Sequence, residues 1–135
     1  MKRLWVIASI AVTALLYSCE KNHFDTTASL KIPLYRCSNP VISGNRVSIC
    51  FDTLLADPRC PPDAVCFWPG FGVGSFSFSA NGNTHRIRLA EVPFRGLFPK
   101  DTIASGYKIE FLGLELDPAP VPDDKTRALM RITKQ

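Results

Sequence analysis

Histidine is scarce in this chain, which has only His23 and His85 among its 135 residues. Histidine is the side chain whose ordinary pKa lies near neutral pH, so few groups are available for general acid–base catalysis. A nucleophile elbow and a histidine-centred metal motif are also lacking. A lone histidine in a strand, as His85 is expected to be, is more often a surface residue than a catalytic base.

A glycine-rich phosphate loop is lacking as well. Gly70, Gly72 and Gly74 alternate along the start of a strand, which indicates small residues packed beneath aromatic rings. The hypothesis that two carboxylates cleave a glycoside stays open, although nothing in the sequence places two of them across a cleft. We therefore predict no enzyme, no catalytic residue, no metal and no cofactor.

Long apolar runs are also lacking, with one exception near the start, where residues 4–16 carry no charge. This run is shorter than the roughly 17–25 residues with which a helix crosses a bilayer. Lys2 and Arg3 precede it, and Cys19 follows it closely. A positive start, a short apolar segment and a cysteine at the cleavage point are typical of a bacterial lipoprotein signal. We expect residues 1–18 to be removed and Cys19 to receive the lipid.

The predicted location is the bacterial cell envelope, with the membrane as a partner through the lipid on Cys19. Ordinary secretion is the alternative, because the bulky Tyr17 is unusual beside a lipoprotein cleavage point. Glu20 and Lys21 do not form the acidic cluster that directs some lipoproteins to the cell surface, which favours the periplasmic side of the outer membrane. Loss of the cations in the signal lowers the formal net charge below +4, so we expect no nucleic-acid partner.

Four cysteines remain when Cys19 carries lipid, namely Cys37, Cys50, Cys60 and Cys66. An even number of cysteines in an exported protein indicates disulfide bonds. The sequence allows three pairings, and the short segments between neighbours favour Cys37 with Cys50 and Cys60 with Cys66. The spacings do not match the gaps of about two to four residues in structural zinc sites, so no metal is expected here.

Strand and turn patterns run through the rest of the chain. Phe76 and Phe78 alternate with serines, and a second alternating run at residues 84–90 follows Asn81 and Gly82. An Asn-Gly pair between two such runs predicts a β-hairpin.

Further strands are predicted where apolar and polar positions alternate, at residues 47–51, 107–111 and 128–132. Gly113 predicts a β-bulge, and residues 91–105 are predicted to form an irregular connection. These patterns predict an all-β domain, an antiparallel β-sandwich that is Ig-like or a partly open barrel, pinned by disulfides.

The predicted domain organisation has three parts. A signal peptide at residues 1–18 is followed by a lipid-anchored polar tether at residues 19–29. Residues 30–135 then form a single β domain, which is long enough to bury a core of its own.

The densest local pattern lies at residues 57–70. Its defining residues are Asp57, Arg59, Cys60, Pro61, Cys66, Trp68 and Gly70. Here the chain resembles a group of uncharacterised bacterial lipoproteins that share the segment Asp-x-Arg-Cys-Pro-x4-Cys-x-Trp-x-Gly. The resemblance implies export and a β fold and implies no activity. Pro69 departs from the small residue usual at that place, and Cys37 and Cys50 are additions to the motif.

Two interpretations of this segment stay open. In the first, a disulfide corner covered by the ring of Trp68 fixes the path of the chain, and Asp57 pairs with Arg59 or accepts turn amides. In the second, Pro61 and Pro62 stiffen a loop that presents Arg59 as a recognition element, as protease inhibitors do.

The preferred function is a non-enzymatic interaction or structural module on a lipid anchor. A protease-inhibitor-like module acting through residues 59–66 is the alternative. The candidate partners are a protein or an anionic glycan. Outward-facing cations would form a basic stripe if their strands were neighbours, and such a stripe would suit an anionic partner such as lipid headgroups or an acidic glycan. A solvated sheet face that discourages edge pairing is the other interpretation of these cations. They are Arg86, Arg88, Lys108, Arg127 and Arg131.

Overall fold

A computed structural model describes residues 25–60, 64–67, 70–93, 96–115 and 125–135. Over these ranges the chain forms ten β-strands, all paired antiparallel, which confirms the predicted all-β class. No helix in the described ranges is long and apolar enough to cross a membrane. In chain order the strands are β1 (Thr27–Pro33), β2 (Cys37–Ser38), β3 (Val41–Ile42), β4 (Asn45–Arg46), β5 (Ser48–Ala56), β6 (Val73–Ala80), β7 (Asn83–Ala90), β8 (Asp101–Ala104), β9 (Tyr107–Leu114) and β10 (Arg127–Lys134).

Eight of these strands form two four-stranded sheets. Sheet I has the order β1-β10-β9-β8 and sheet II the order β2-β5-β6-β7, while β3 and β4 form a separate ribbon. The inner faces of the sheets meet through aromatic rings. Phe76 of sheet II lies 5.4 Å from Phe111 of sheet I, and Phe78 lies 5.7 Å from Tyr107, between ring centroids. The two sheets therefore pack as the predicted antiparallel β-sandwich.

The period-two pattern of the strands determines which side chains enter the core. In β6, Phe76 and Phe78 are fully buried, whereas Ser77 and Ser79 on the other face are half-buried. Successive side chains of a strand point to opposite faces, so every second residue contributes to the core. The largest fully buried side chains come from both sheets and include Phe51, Phe76, Phe78, Tyr107, Ile109, Phe111 and Met130.

Gly74 makes room for these rings. A Cβ at this position would lie 2.7 Å from the ring of Phe76 and 3.1 Å from that of Phe51. Without a side chain at Gly74, the two rings stack at 5.0 Å between centroids. The interpretation of this glycine as a small residue beneath aromatic rings is confirmed.

Three two-residue turns connect strands into hairpins, at residues 43–44, 81–82 and 105–106. Both central residues of each turn have positive φ, with values from 50° to 78°. This is the backbone of a type I′ turn, whose twist matches that of the flanking strands. The predicted hairpin at Asn81 and Gly82 is confirmed.

The register of β9 and β10 confirms the predicted bulge. Leu129 lies opposite Gly113 and Met130 lies opposite Phe111, which leaves Leu112 as an extra residue in β9. Gly113 has a φ of 146°, a conformation that favours glycine.

Both favoured disulfides are present. Cys37 and Cys50 are bonded at directly opposite positions of β2 and β5, so this bond holds the edge strand of sheet II to its neighbour. Cys60 and Cys66 are bonded between β5 and β6. The pairing expected from short sequence separation is confirmed.

Strands occur in two segments for which the sequence predicted none. β1 begins at Thr27, so the strand includes the last three residues of the predicted tether, 19–29. Thr27 and Ser29 are exposed on the outer face of sheet I, where polar side chains are favoured, and their polarity concealed the strand. The connection at residues 91–105 contains β8, a short edge strand paired with β9.

Tyr107 provides a test of the core. Its side chain is fully buried, and its hydroxyl has no hydrogen-bond partner among the described residues. A buried polar group without a partner loses its hydration and gains nothing in return. We therefore expect Tyr107→Phe to raise the free energy of unfolding by about 1 kcal/mol, measured by chemical denaturation. The ring remains in the variant and keeps its contact with Lys134, whose Nζ lies 4.3 Å from the ring centroid. A clear loss of stability would contradict this prediction.

Candidate functional site

Only some of the site residues predicted from the sequence are within the described ranges. Cys19, Pro61, Pro62 and Trp68 are outside them. Lipidation of Cys19 and the position of the Trp68 ring therefore stay predictions.

Arg59 lies within the described ranges and is held by Asp57. Its Nε and Nη2 donate to the two carboxylate oxygens of Asp57 at 2.5 and 2.7 Å. The side chain of Arg59 is only 17% exposed and that of Asp57 only 12%. The guanidinium is thus occupied within the chain, which does not favour its use as the recognition residue of an inhibitor loop.

Gly70 explains a further part of the motif. Its φ of +54° favours glycine, and a Cβ there would overlap the backbone of Arg59 and approach that of Pro58. The two ends of the segment therefore touch, with the Asp57–Arg59 pair at the first end. These contacts favour the structural interpretation of the motif, in which it fixes the path between β5 and β6.

His85 makes a surface contact between the sheets. Its Nε2 lies 2.9 Å from the Oγ of Ser105, in the turn between β8 and β9. The pair is exposed at the edge of the sandwich. Within the described ranges, no three His, Cys, Asp or Glu side chains are grouped as a metal site requires.

The five cations that would form a basic stripe if their strands were neighbours lie on two different sheets. Arg127 and Arg131 are on β10 of sheet I, and Lys108 is on the adjacent β9. Arg86 and Arg88 are on β7, the edge strand of sheet II. The condition for a single stripe is not met, because β7 belongs to a different sheet from β9 and β10.

The cations of sheet I have acidic partners on the same sheet. Arg127 and Arg131 lie 3.4 Å from carboxylate oxygens of Glu115 and Glu110, respectively, and Lys108 lies 3.0 Å from Asp101. Lys31 pairs with Glu115 as well. The hydrogen bond with Asp101 raises the pKa of Lys108, and the hydrogen bond from Lys31 lowers the pKa of Glu115. This face is a solvated surface of paired charges, which each contribute little to stability.

The outer face of sheet II contains a groove of about 430 Å³. The groove spans three strands and is lined by Asp52, Thr53, Leu55, Ser75, Ser77, Arg86 and Arg88. Its volume lies in the range of about 300–1,000 Å³ that is typical of small-molecule sites.

Strand register explains the shape of this groove. Ser75 lies opposite Arg88 on one side and Thr53 on the other, and Ser77 lies opposite Arg86. The short serine side chains of β6 form a floor, and the longer side chains of β5 and β7 form the walls. Neighbouring strands are about 4.8 Å apart, so the walls are separated by roughly 10 Å.

A bulge in β5 adds a carboxylate to the groove. The register between β5 and β6 shifts between Phe51 and Thr53, and Asp52 joins Thr53 in lining the groove. The Ser77 hydroxyl donates to Asp52 Oδ2 at 2.7 Å. Asp52 Oδ1 accepts no hydrogen bond from the described residues and is available to a ligand.

The two arginines of the groove are available to a ligand. Arg86 and Arg88 are exposed, and neither forms an ion pair within the part of the chain that the structure describes. Residues two apart on a strand point to the same face about 7 Å from each other. Ser75, only 7% exposed, lies on the floor beside them. The groove therefore combines cationic donors, hydroxyl groups and one carboxylate acceptor.

From the sequence, the arginines were placed on an outward face and the serines of β6 on the face opposite the phenylalanines, but Asp52, Thr53 and Leu55 were not singled out. The bulge that aims Asp52 into the groove has no glycine or other turn residue to mark it. The alternating serines of β6 were the available signal, because a row of short polar side chains beside long ones produces a groove.

The comparisons with known proteins do not place the chain in a family. A scan against protein-family models finds no match, and no curated protein or solved structure matches the chain.

Proposed function

We propose that this protein is a lipid-anchored bacterial envelope protein whose β-sandwich is a non-enzymatic binding module. The groove on sheet II is its binding surface. The observation that carries the proposal is the presence of two arginines without ion-pair partners, among the described residues, beside a polar groove of about 430 Å³. Arginine donates in a planar fork that suits carboxylates and other oxyanions, so the two side chains are suited to hold an anionic group.

The groove is built to hold a ligand in place. Its hydroxyl groups and carboxylate stand on paired strands of a disulfide-bonded sheet, and groups on strands keep their spacing better than groups on loops. Ser77 already donates to Asp52, which fixes the orientation of that carboxylate. Preorganised groups of this kind reduce the entropy lost on binding.

The anchor is supported by the sequence of residues 1–19, with its positive start, short apolar run and cysteine. We expect Cys19→Ser to abolish incorporation of labelled palmitate and to move the protein from the membrane fraction to the soluble fraction. The reason is that the variant lacks the thiol that would carry the lipid.

The matched control for this experiment is the double variant Cys60→Ser and Cys66→Ser, which removes two other cysteines and keeps Cys19. This control is expected to remain in the membrane fraction. A Cys19→Ser protein that stays with the membranes and retains the label would overturn the anchor.

Binding through the groove is tested separately from anchoring. Full-length protein and its Arg86→Ala, Arg88→Ala double variant are used to capture material from envelope extract. Dependence of the captured material on the two arginines supports the groove as the binding surface, and identical capture by both proteins counts against it.

A further inference from the structure

We propose that the groove on sheet II binds an acidic sugar, that is, a saccharide unit carrying a carboxylate. The inference rests on the proposed function and names the class of ligand for its groove. Three properties of the groove favour such a ligand. They are two arginines that have no ion-pair partner among the described residues, the carboxylate of Asp52 and the open shape.

Cations without an ion-pair partner among the described residues favour an anionic ligand. Sheet I and sheet II each carry outward-facing arginines, but among the described residues only those of sheet I have carboxylate partners. Arg86 and Arg88 instead border the groove. A ligand carboxylate there would accept charge-assisted hydrogen bonds, which are roughly twice as strong as neutral ones.

The carboxylate of Asp52 argues against a simple anion as the ligand. A negative side chain in the groove repels phosphate or sulfate and weakens their binding. The same side chain is a strong acceptor for a hydroxyl group, and its Oδ1 accepts no bond from the described residues. A ligand that offers an anion to the arginines and hydroxyl groups to Asp52 satisfies both, and acidic sugars have this combination.

The shape of the groove suits a chain of sugars. The floor is formed by Ser75 and Ser77, whose hydroxyl groups can donate or accept, and Leu55 adds an apolar contact that is 45% exposed. Sugar rings present both hydroxyl groups and apolar C–H faces. The groove lies on the open outer face of sheet II and reaches the edge strand β7. A glycan longer than the groove can therefore extend beyond it.

The experiment measures binding to full-length protein in nonionic detergent by titration calorimetry. The probes are oligomers of galacturonate, alginate and hyaluronan, a neutral maltooligosaccharide of similar length, inorganic phosphate, and micelles containing phosphatidylglycerol. We expect at least one acidic oligosaccharide to bind more tightly than the neutral sugar, the phosphate and the anionic lipid.

Variants at the arginines test where the sugar binds. The Arg86→Ala, Arg88→Ala double variant is expected to weaken binding by about tenfold or more, since two charge-assisted interactions are lost. The matched control is Arg127→Ala with Arg131→Ala, which removes the same charge from the other sheet and is expected to leave affinity within about twofold. Thermal unfolding of each variant verifies that it is folded.

Asp52→Asn separates a sugar from a simple anion. The substitution removes a negative charge, so a simple anion would bind the variant more tightly. An acidic sugar also loses the charged acceptor for its hydroxyl group, and we expect this loss to exceed the relief of repulsion, so that the sugar binds the variant more weakly. Weaker binding of the acidic oligosaccharide supports the proposal, and tighter binding overturns it.

Three further results would overturn the inference. They are no binding of any acidic oligosaccharide, equal binding of neutral and acidic sugars, or tighter binding of phosphate or anionic lipid than of any sugar. If envelope capture still depends on Arg86 and Arg88 in that case, the binding module stands and only the ligand class is wrong. If capture does not depend on them either, the proposed function fails as well.

Discussion

Phe76→Ala is expected to lower the free energy of unfolding by about 3–5 kcal/mol. Phe76 is fully buried, and its ring lies between Phe51 of the same sheet and Phe111 of the opposite sheet, at 5.0 and 5.4 Å between centroids. Truncation removes apolar contacts and leaves a cavity between the sheets, and the two effects add. Since a domain is typically stable by only about 5–15 kcal/mol, the variant should be close to unfolding. Chemical denaturation at equilibrium measures the change.

The chain offers a matched control for this substitution. Phe67 is 99% exposed, so Phe67→Ala removes the same side chain without opening a cavity. We expect this control to change stability by no more than about 0.5 kcal/mol. If Phe76→Ala were no more destabilising than Phe67→Ala, the packing of the two sheets described above would be incorrect.

The second large effect is expected at the disulfide between Cys37 and Cys50. Replacing both residues by serine should lower the free energy of unfolding by about 3 kcal/mol. The disulfide restricts the unfolded chain, and its removal restores the entropy of a loop of this size. The bond spans 13 positions in sequence and joins β2 to β5. Because β2 has only two residues, few hydrogen bonds would hold it to the sheet once the bond is lost.

The other disulfide serves as the comparison. Cys60 and Cys66 are separated by 6 positions, so their bond closes a smaller loop and its removal is expected to cost less, about 2 kcal/mol. Both double variants are measured by thermal and chemical unfolding. Equal stability of the wild type and the Cys37→Ser, Cys50→Ser variant would rule out a stabilising role for this bond.

The strands predicted with success are those in which one face is buried and the other is not. Phe76 and Phe78 alternate with serines, and Ile109 and Phe111 alternate with Lys108 and Glu110, as a half-buried strand requires. The signal fails where neither face is strongly apolar. β8 has four residues, and its Ile103 is 67% exposed, so no alternating pattern marked it. The Ser105-Gly106 turn that follows was the available signal for this hairpin.

The groove could be predicted less well than the strands. Arg86 and Arg88 were known to share one face of a strand, but which other residues face them depends on the neighbours of β7 and on the register of each pair. Asp52 enters the groove through a bulge, which changes the face of a strand without a reliable mark in the sequence. Arg127 and Arg131 also share one face of a strand, and only the strand order shows that they belong to the other sheet.

The secondary-structure class, the main hairpin and the cysteine pairing could be predicted from the sequence alone, because these features depend on residues close together in the chain. Side-chain alternation, an Asn-Gly turn and short disulfide loops are local properties. The tertiary structure decided which charges meet. It paired the cations of sheet I with Glu110 and Glu115 and placed Arg86 and Arg88 beside Asp52, since contacts between strands depend on sheet order and register. The arginines of β10 thus lie on a face of paired charges, and those of β7 border a groove in which they are available to a ligand.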